Sequence, residues 1–150
     1  MSSFTGRLRY TRLANGLASC QSQMRFYLDD KREGEYVELE DGSLSNFASI
    51  PKLLQFICSP DAQDIKVPSF FHDGMVAEHG QQIWIKRDNS DILRIPTWKE
   101  SAFWFRKMIE VRQRKTRNKY TSGKRFLLTG VDFIFRWSCW GAVTVHGLVR

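Results

Sequence analysis

Apolar and polar positions alternate in short runs over the first forty residues. Arg7–Tyr10, Met24–Leu28 and Glu35–Glu40 lean towards strand, the last reading Tyr36-Val37-Glu38-Leu39-Glu40. Asn15-Gly16 and Asp41-Gly42 punctuate these runs as turns. From Ile50 the apolar spacing lengthens to that of a helix. Pro51 suits the first turn of a helix over Lys52–Cys58, and Pro60 ends it. Pro68-Ser69 opens a second helix that runs to Gly80. Gln81–Ile95 reads as a connector with a strand at Gln82–Lys86. Thr97-x-x-Glu100 forms a capping box before a third helix, with Trp98, Ala102, Phe105 and Ile109 at helical spacing. Beyond Val111 the apolar positions stop, so this helix should end before Gly123. A fourth runs from Lys124 to about Val145. The pattern predicts an α+β fold: a small N-terminal antiparallel sheet packed by three or four helices, with an aromatic C-terminal helix, all in a single domain over residues 1–150.

Composition leaves that picture intact: 42% hydrophobic and 26% charged residues suit a globular domain and exclude a disordered or fibrous one. Charge adds a feature. Of the net +7, residues 106–125 contribute +8, from nine cations and Glu110, so the rest of the chain is close to neutral. Arg112, Lys115 and Lys119 fall at helical spacing, as do Arg114 and Arg117, and Lys124 and Arg125 extend the block. A broad cationic surface of this kind suits nucleic acid or an acidic protein face, and Tyr120 could stack on a base. The alternative is a solvated helix end without a ligand.

Cys20, Cys58 and Cys139 match neither a disulfide framework nor a C-x-x-C pair, so reduced thiols are expected. Met1–Tyr10 lacks the apolar core of a signal peptide. Phe126–Val149 has the outline of a membrane helix with a basic flank. Asp132 and Arg136 oppose that, each costing about 2.5–3.5 kcal/mol at the centre of a span. A buried core helix is the expectation, and membrane contact through 126–149 is the alternative.

Candidate chemistry gathers at Ser45-Asn46-Phe47-Ala48-Ser49-Ile50-Pro51 and at Phe71-His72-Asp73. A hydrolase would use His72, Asp73 and Glu100, the carboxylates orienting the imidazole or holding an ion. The structural alternative makes His72 a core histidine bonded to the 45–49 loop. In it Asp73 pairs nearby, Glu100 serves the capping box and His79 interacts with a helix C-terminus. His72 and His79 lie seven apart, about 10 Å on a straight helix, too far for one metal. No metal and no cofactor is expected. The chain contains no nucleophile elbow, P-loop or dinucleotide fingerprint, and the balance leans against an enzyme.

These segments resemble a tailed-phage domain family of unknown function. Its members carry Thr-Asp-x-Ala-Ser-Ile/Val-Pro, then a His-Asp pair on a helix, then an Asp-x-x-Phe helix. Here Phe47-Ala48-Ser49-Ile50-Pro51 and His72-Asp73 match, and Glu100-Ser101-Ala102-Phe103 matches loosely. Ser45-Asn46 replaces Thr-Asp, which removes a carboxylate and a hard-cation ligand. The resemblance implies a phage virion or morphogenesis protein working through protein–protein contacts. Its partners would be other virion proteins, with nucleic acid as a further partner. Its place would be the host cytoplasm during assembly, then the virion. A phage-encoded hydrolase centred on His72-Asp73, and a nucleic-acid or membrane-surface accessory protein, are the alternatives.

Overall fold

A computed structural model describes residues 2–28, 34–47, 63–88 and 90–117. Within them the chain is α+β. The strands are β1 (Ser3–Thr5), β2 (Tyr10–Arg12), β3 (Ala18–Cys20), β4 (Met24–Tyr27), β5 (Glu35–Leu39), β6 (Leu44–Ser45), β7 (Ile85–Arg87) and β8 (Ser90–Arg94). The helices are α1 (Gln63–Met75) and α2 (Trp98–Arg117), with a 3-10 turn at Glu78–Gly80. The helices expected over Lys52–Cys58 and Lys124–Val145 lie outside the described residues. Among the described residues no helix is long and apolar enough to cross a membrane.

Two antiparallel sheets form, in the orders β1-β4-β5-β7-β8 and β2-β3-β6. Of the strand expected at Arg7–Tyr10 only Tyr10 is in a strand; residues 7–9 link β1 to β2. Gly6 separates them with φ +83°, a backbone state that suits residues lacking a Cβ. The 15–16 turn closes the β2–β3 hairpin, where Leu13 N–H donates to Leu17 O at 2.7 Å. Gln81 completes the small sheet from outside it. Its Oε1 accepts the Leu44 N–H at 2.7 Å and its Nε2 donates to the Leu44 carbonyl. The 81–95 connector is a β7–β8 hairpin rather than a lone strand at 82–86, and it extends the larger sheet beyond β5.

Helix α1 begins five residues before Pro68, which does not open it. An interior proline costs about 3 kcal/mol. Ile65 and Val67 are fully or nearly fully buried ahead of it, and burying each is worth about 1.5–3 kcal/mol. Packing therefore outweighs the breaker. The helix also stops at Met75, short of Gly80, because Ala77 and His79 adopt left-handed φ of 59° and 56°. Ile83 N–H donates to Gly74 O at 2.8 Å and draws the chain back over α1. A Cβ on Gly74 would lie 2.5 Å from Ile83 Cδ1, so this close approach requires glycine.

Phe70 and Phe71 divide the core between the sheets. Phe71 meets Phe4 of the larger sheet at 6.0 Å, and Phe70 meets Tyr10 and Phe47 beside the smaller one at 6.1 and 5.4 Å. Helix α2 packs on α1 and sends Trp104 edge-on to Phe26 at 5.9 Å. It continues through polar residues to Arg117, past the point where its apolar positions run out at Val111. Its start is the expected capping box: Glu100 N–H donates to Thr97 Oγ1 and Thr97 N–H donates to Glu100 Oε2 at 2.9 Å.

Candidate functional site

Ser45, at the end of β6, is buried, and its hydroxyl donates to Asp73 Oδ2 at 2.7 Å. Ser45 Oγ also accepts the Phe47 N–H at 3.1 Å, closing a tight turn in which Phe47 takes φ 57°. His72 Nδ1 lies 3.7 Å from Asp73 Oδ1. The imidazole itself sits among Phe105 and Trp98, with ring centroids 5.1 and 5.8 Å away. Asp73 is 1% exposed and His72 5%. Together they fasten the start of the 45–51 segment to α1 and α1 to α2. The part of that segment beyond Phe47 lies outside the described residues.

Glu100 is held elsewhere. Its Oε2 takes both the Thr97 N–H and hydroxyl, and its Oε1 pairs with Arg94, which also reaches Glu35 on β5 at 3.2 Å. Burial pushes the Glu100 carboxyl up, but the hydrogen bonds from Thr97 and Arg94 prevail and lower it on balance. The carboxylate thus joins the helix start to the sheet.

His79 leaves α1 altogether and lies in the 3-10 turn, so it does not share a helical face with His72. The left-handed residues around Glu78 bring Asp73, Glu78 and His79 within 4.8 Å of one another by one donor atom each. These are the described residues that could hold a divalent cation. His79 Nε2 lies 3.9 Å from Glu78 Oε2.

The cationic block begins on α2. Arg106, Lys107, Arg112 and Arg114 are half-buried, and Lys107 and Arg114 flank Glu110 at 3.6 and 3.5 Å. Lys115 and Arg117 also belong to α2. Lys119, Lys124 and Arg125 lie outside the described residues.

Arg112 also borders a partly open cleft of about 330 Å³. Arg7, from the link between β1 and β2, and Lys66, from α1, line it too, with Tyr10 and an apolar floor that includes Phe4, Leu8, Met24 and Val67. Lys66 Nζ donates to the Tyr10 hydroxyl at 3.0 Å and faces the Tyr10 ring at 5.5 Å. Sequence reasoning missed Arg7, Tyr10 and Lys66. Apart from Arg7 and Tyr10, they lie 46 or more residues from each other and from Arg112, and no local pattern announces their meeting.

On the far face of the larger sheet Glu38 is bound by Arg25 and, at 3.1 Å, by Lys86. Burial raises the Glu38 carboxyl, and the hydrogen bonds from Arg25 and Lys86 more than reverse this. Nearby, the edge hairpin exposes Trp84, Leu93 and Ile95.

No family model, no curated protein and no solved structure matches the chain.

Proposed function

We propose that this protein is a non-catalytic component of a tailed-phage particle or of its assembly, docking on an acidic surface of a neighbouring virion protein. The observation that carries the docking reading is the cationic end of α2: four of its last six residues, Arg112, Arg114, Lys115 and Arg117, are basic, and none is acidic. Like charges gathered on one helix repel, and an acidic partner relieves that repulsion. The exposed Trp84, Leu93 and Ile95 add apolar contact area of the kind that anchors protein interfaces. The phage setting is supported by the resemblance of 45–51 and His72-Asp73 to the tailed-phage family. A binding role rather than hydrolysis is supported by the burial of His72 and Asp73 and by the commitment of Glu100 to Thr97 and Arg94.

The test is co-purification with assembled particles, with copy number measured by quantitative mass spectrometry. A fixed copy number in the wild type is expected. Arg114→Glu with Lys115→Glu should reduce incorporation by about tenfold or more, with the circular dichroism spectrum unchanged. Absence of the wild-type chain from particles and assembly intermediates would overturn the reading.

A further inference from the structure

We infer that β8 pairs with β8 of a second copy of this chain, antiparallel about a two-fold axis, so that the larger sheet runs on through the contact. β8 ends that sheet, and among the described residues no strand lies beyond it. An edge strand turns the main-chain groups of alternate residues outwards, where they match those of another edge. Folds commonly blunt such an edge with lysine, proline or a covering group, as Gln81 covers Leu44 on the smaller sheet. β8 reads Ser90-Asp91-Ile92-Leu93-Arg94 and holds neither lysine nor proline. Leu93, at 52%, and Ile95, just past the strand at 54%, are the most exposed of the large apolar residues described.

Charge favours a copy over a charged partner at this edge. Arg94 pairs with Glu100 and lies 3.2 Å from Glu35, Lys86 lies 3.1 Å from Glu38, and Arg87 lies 3.9 Å from Glu35. The described cations of the hairpin are thus matched within the chain, and two copies meet there without repulsion between them. The same contacts set the register. Arg94 reaches the start of α2, so its side chain lies on the helix side of the sheet and that of Leu93 on the other. A two-fold normal to the sheet leaves every residue on its own face, so the axis passes through a residue rather than between two. At Leu93 it sets Leu93 against its counterpart and keeps the two Asp91 positions about 14 Å apart along the strands. At Ile92 it would set Leu93 opposite Asp91.

The cationic block does not oppose the contact. Helix α2 starts beside β8, passes β4 where Trp104 meets Phe26, and brings Arg112 to the cleft lined by Phe4 of β1. With strands about 4.8 Å apart, the cationic ends of two paired copies lie roughly 40 Å from each other, against a Debye length of about 8 Å. The dimer thereby presents two cationic ends at opposite margins of one sheet, while Leu93 and Ile95 serve the self-contact. The pairing stands without the docking reading; the two-armed attachment it gives rests on that reading.

Sedimentation velocity on the full-length protein, over about 1–200 μM, measures the self-association. A reversible dimer is expected, half-formed below about 100 μM. Leu93→Lys, at an exposed position, places a cation on the seam and should weaken the dimer at least about tenfold with the circular dichroism spectrum unchanged. Leu93→Cys should form a disulfide between two copies under mild oxidation, because facing Cα atoms in an antiparallel pair lie about 4.5–5.5 Å apart, within disulfide reach. Leu13→Cys, exposed between β2 and β3, should not exceed the background that the native cysteines give in the wild type. A monomer throughout, wild-type dimerisation in a folded Leu93→Lys variant, or Leu93→Cys crosslinking no faster than Leu13→Cys would overturn the pairing. Arg114→Glu with Lys115→Glu should leave the dimer constant within about twofold. A monomeric wild type that still enters particles would overturn the pairing and leave the docking reading intact; a dimer absent from particles would do the reverse.

Discussion

Replacing Ser45 with alanine tests whether the Ser45–Asp73 contact supports the fold. The substitution removes a 2.7 Å hydrogen bond to a carboxylate that is 1% exposed, and a 3.1 Å bond that satisfies the Phe47 amide. A hydrogen bond to a charged group contributes about 1.5–3 kcal/mol and a neutral one about 0.5–1.5 kcal/mol. Asp73 retains its 3.7 Å contact with His72, so the loss should be about 2–3 kcal/mol rather than the full sum. For a chain of this length each kcal/mol lowers Tm by about 2–4 °C, giving a fall of roughly 4–12 °C. Urea denaturation followed by far-ultraviolet circular dichroism measures the loss directly. A double-mutant cycle with Asp73→Asn then isolates the pair, with a coupling of at least about 1 kcal/mol expected. A Ser45→Ala protein within about 0.5 kcal/mol of wild type, or strictly additive single costs, would refute a structural role for this contact.

Two further outcomes follow from the same packing. Gly74→Ala should cost about 1–3 kcal/mol in urea denaturation, because its Cβ would collide with Ile83, which leads into β7; a neutral or stabilised variant would contradict that close approach. Acid should destabilise through Glu38 and Glu100, whose carboxyls are both lowered below their usual value of 4.5 in the folded protein. Their contribution is therefore complete above about pH 4.5 and is lost as pH falls through the lower folded values, Glu38 mattering more because Glu100 is 32% exposed. Glu38→Gln should flatten the acid side of a stability–pH profile, and an unchanged acid limb would contradict the assignment.

The α+β class, the 15–16 turn and the Thr97–Glu100 capping box were legible in the sequence because each is set by residues within a few positions. The boundaries of α1 were not. Pro68 and Gly80 signal a start and a stop locally, but burial of Ile65 and Val67 extends the helix backwards, and the Gly74–Ile83 contact ends it early. The 45–49 loop was expected to bond His72; the bond that Ser45 makes is to the neighbouring Asp73. The cleft was not anticipated. Arg7, Lys66 and Arg112 belong to three elements, and only the antiparallel arrangement of β1 and the α1–α2 packing bring them together.

The pair of hydrogen bonds between Gln81 and Leu44 has a consequence for self-association. β6 is an outer strand of the small sheet, and Leu44 would otherwise offer a backbone donor and acceptor to any extended chain that approached. Gln81 occupies both with a single side-chain amide, acting as a one-residue mock strand. The fold thereby closes one sheet margin against strand addition without spending another strand on it, and new main-chain pairing on that sheet is directed towards β2, beside the Tyr10 rim of the cleft.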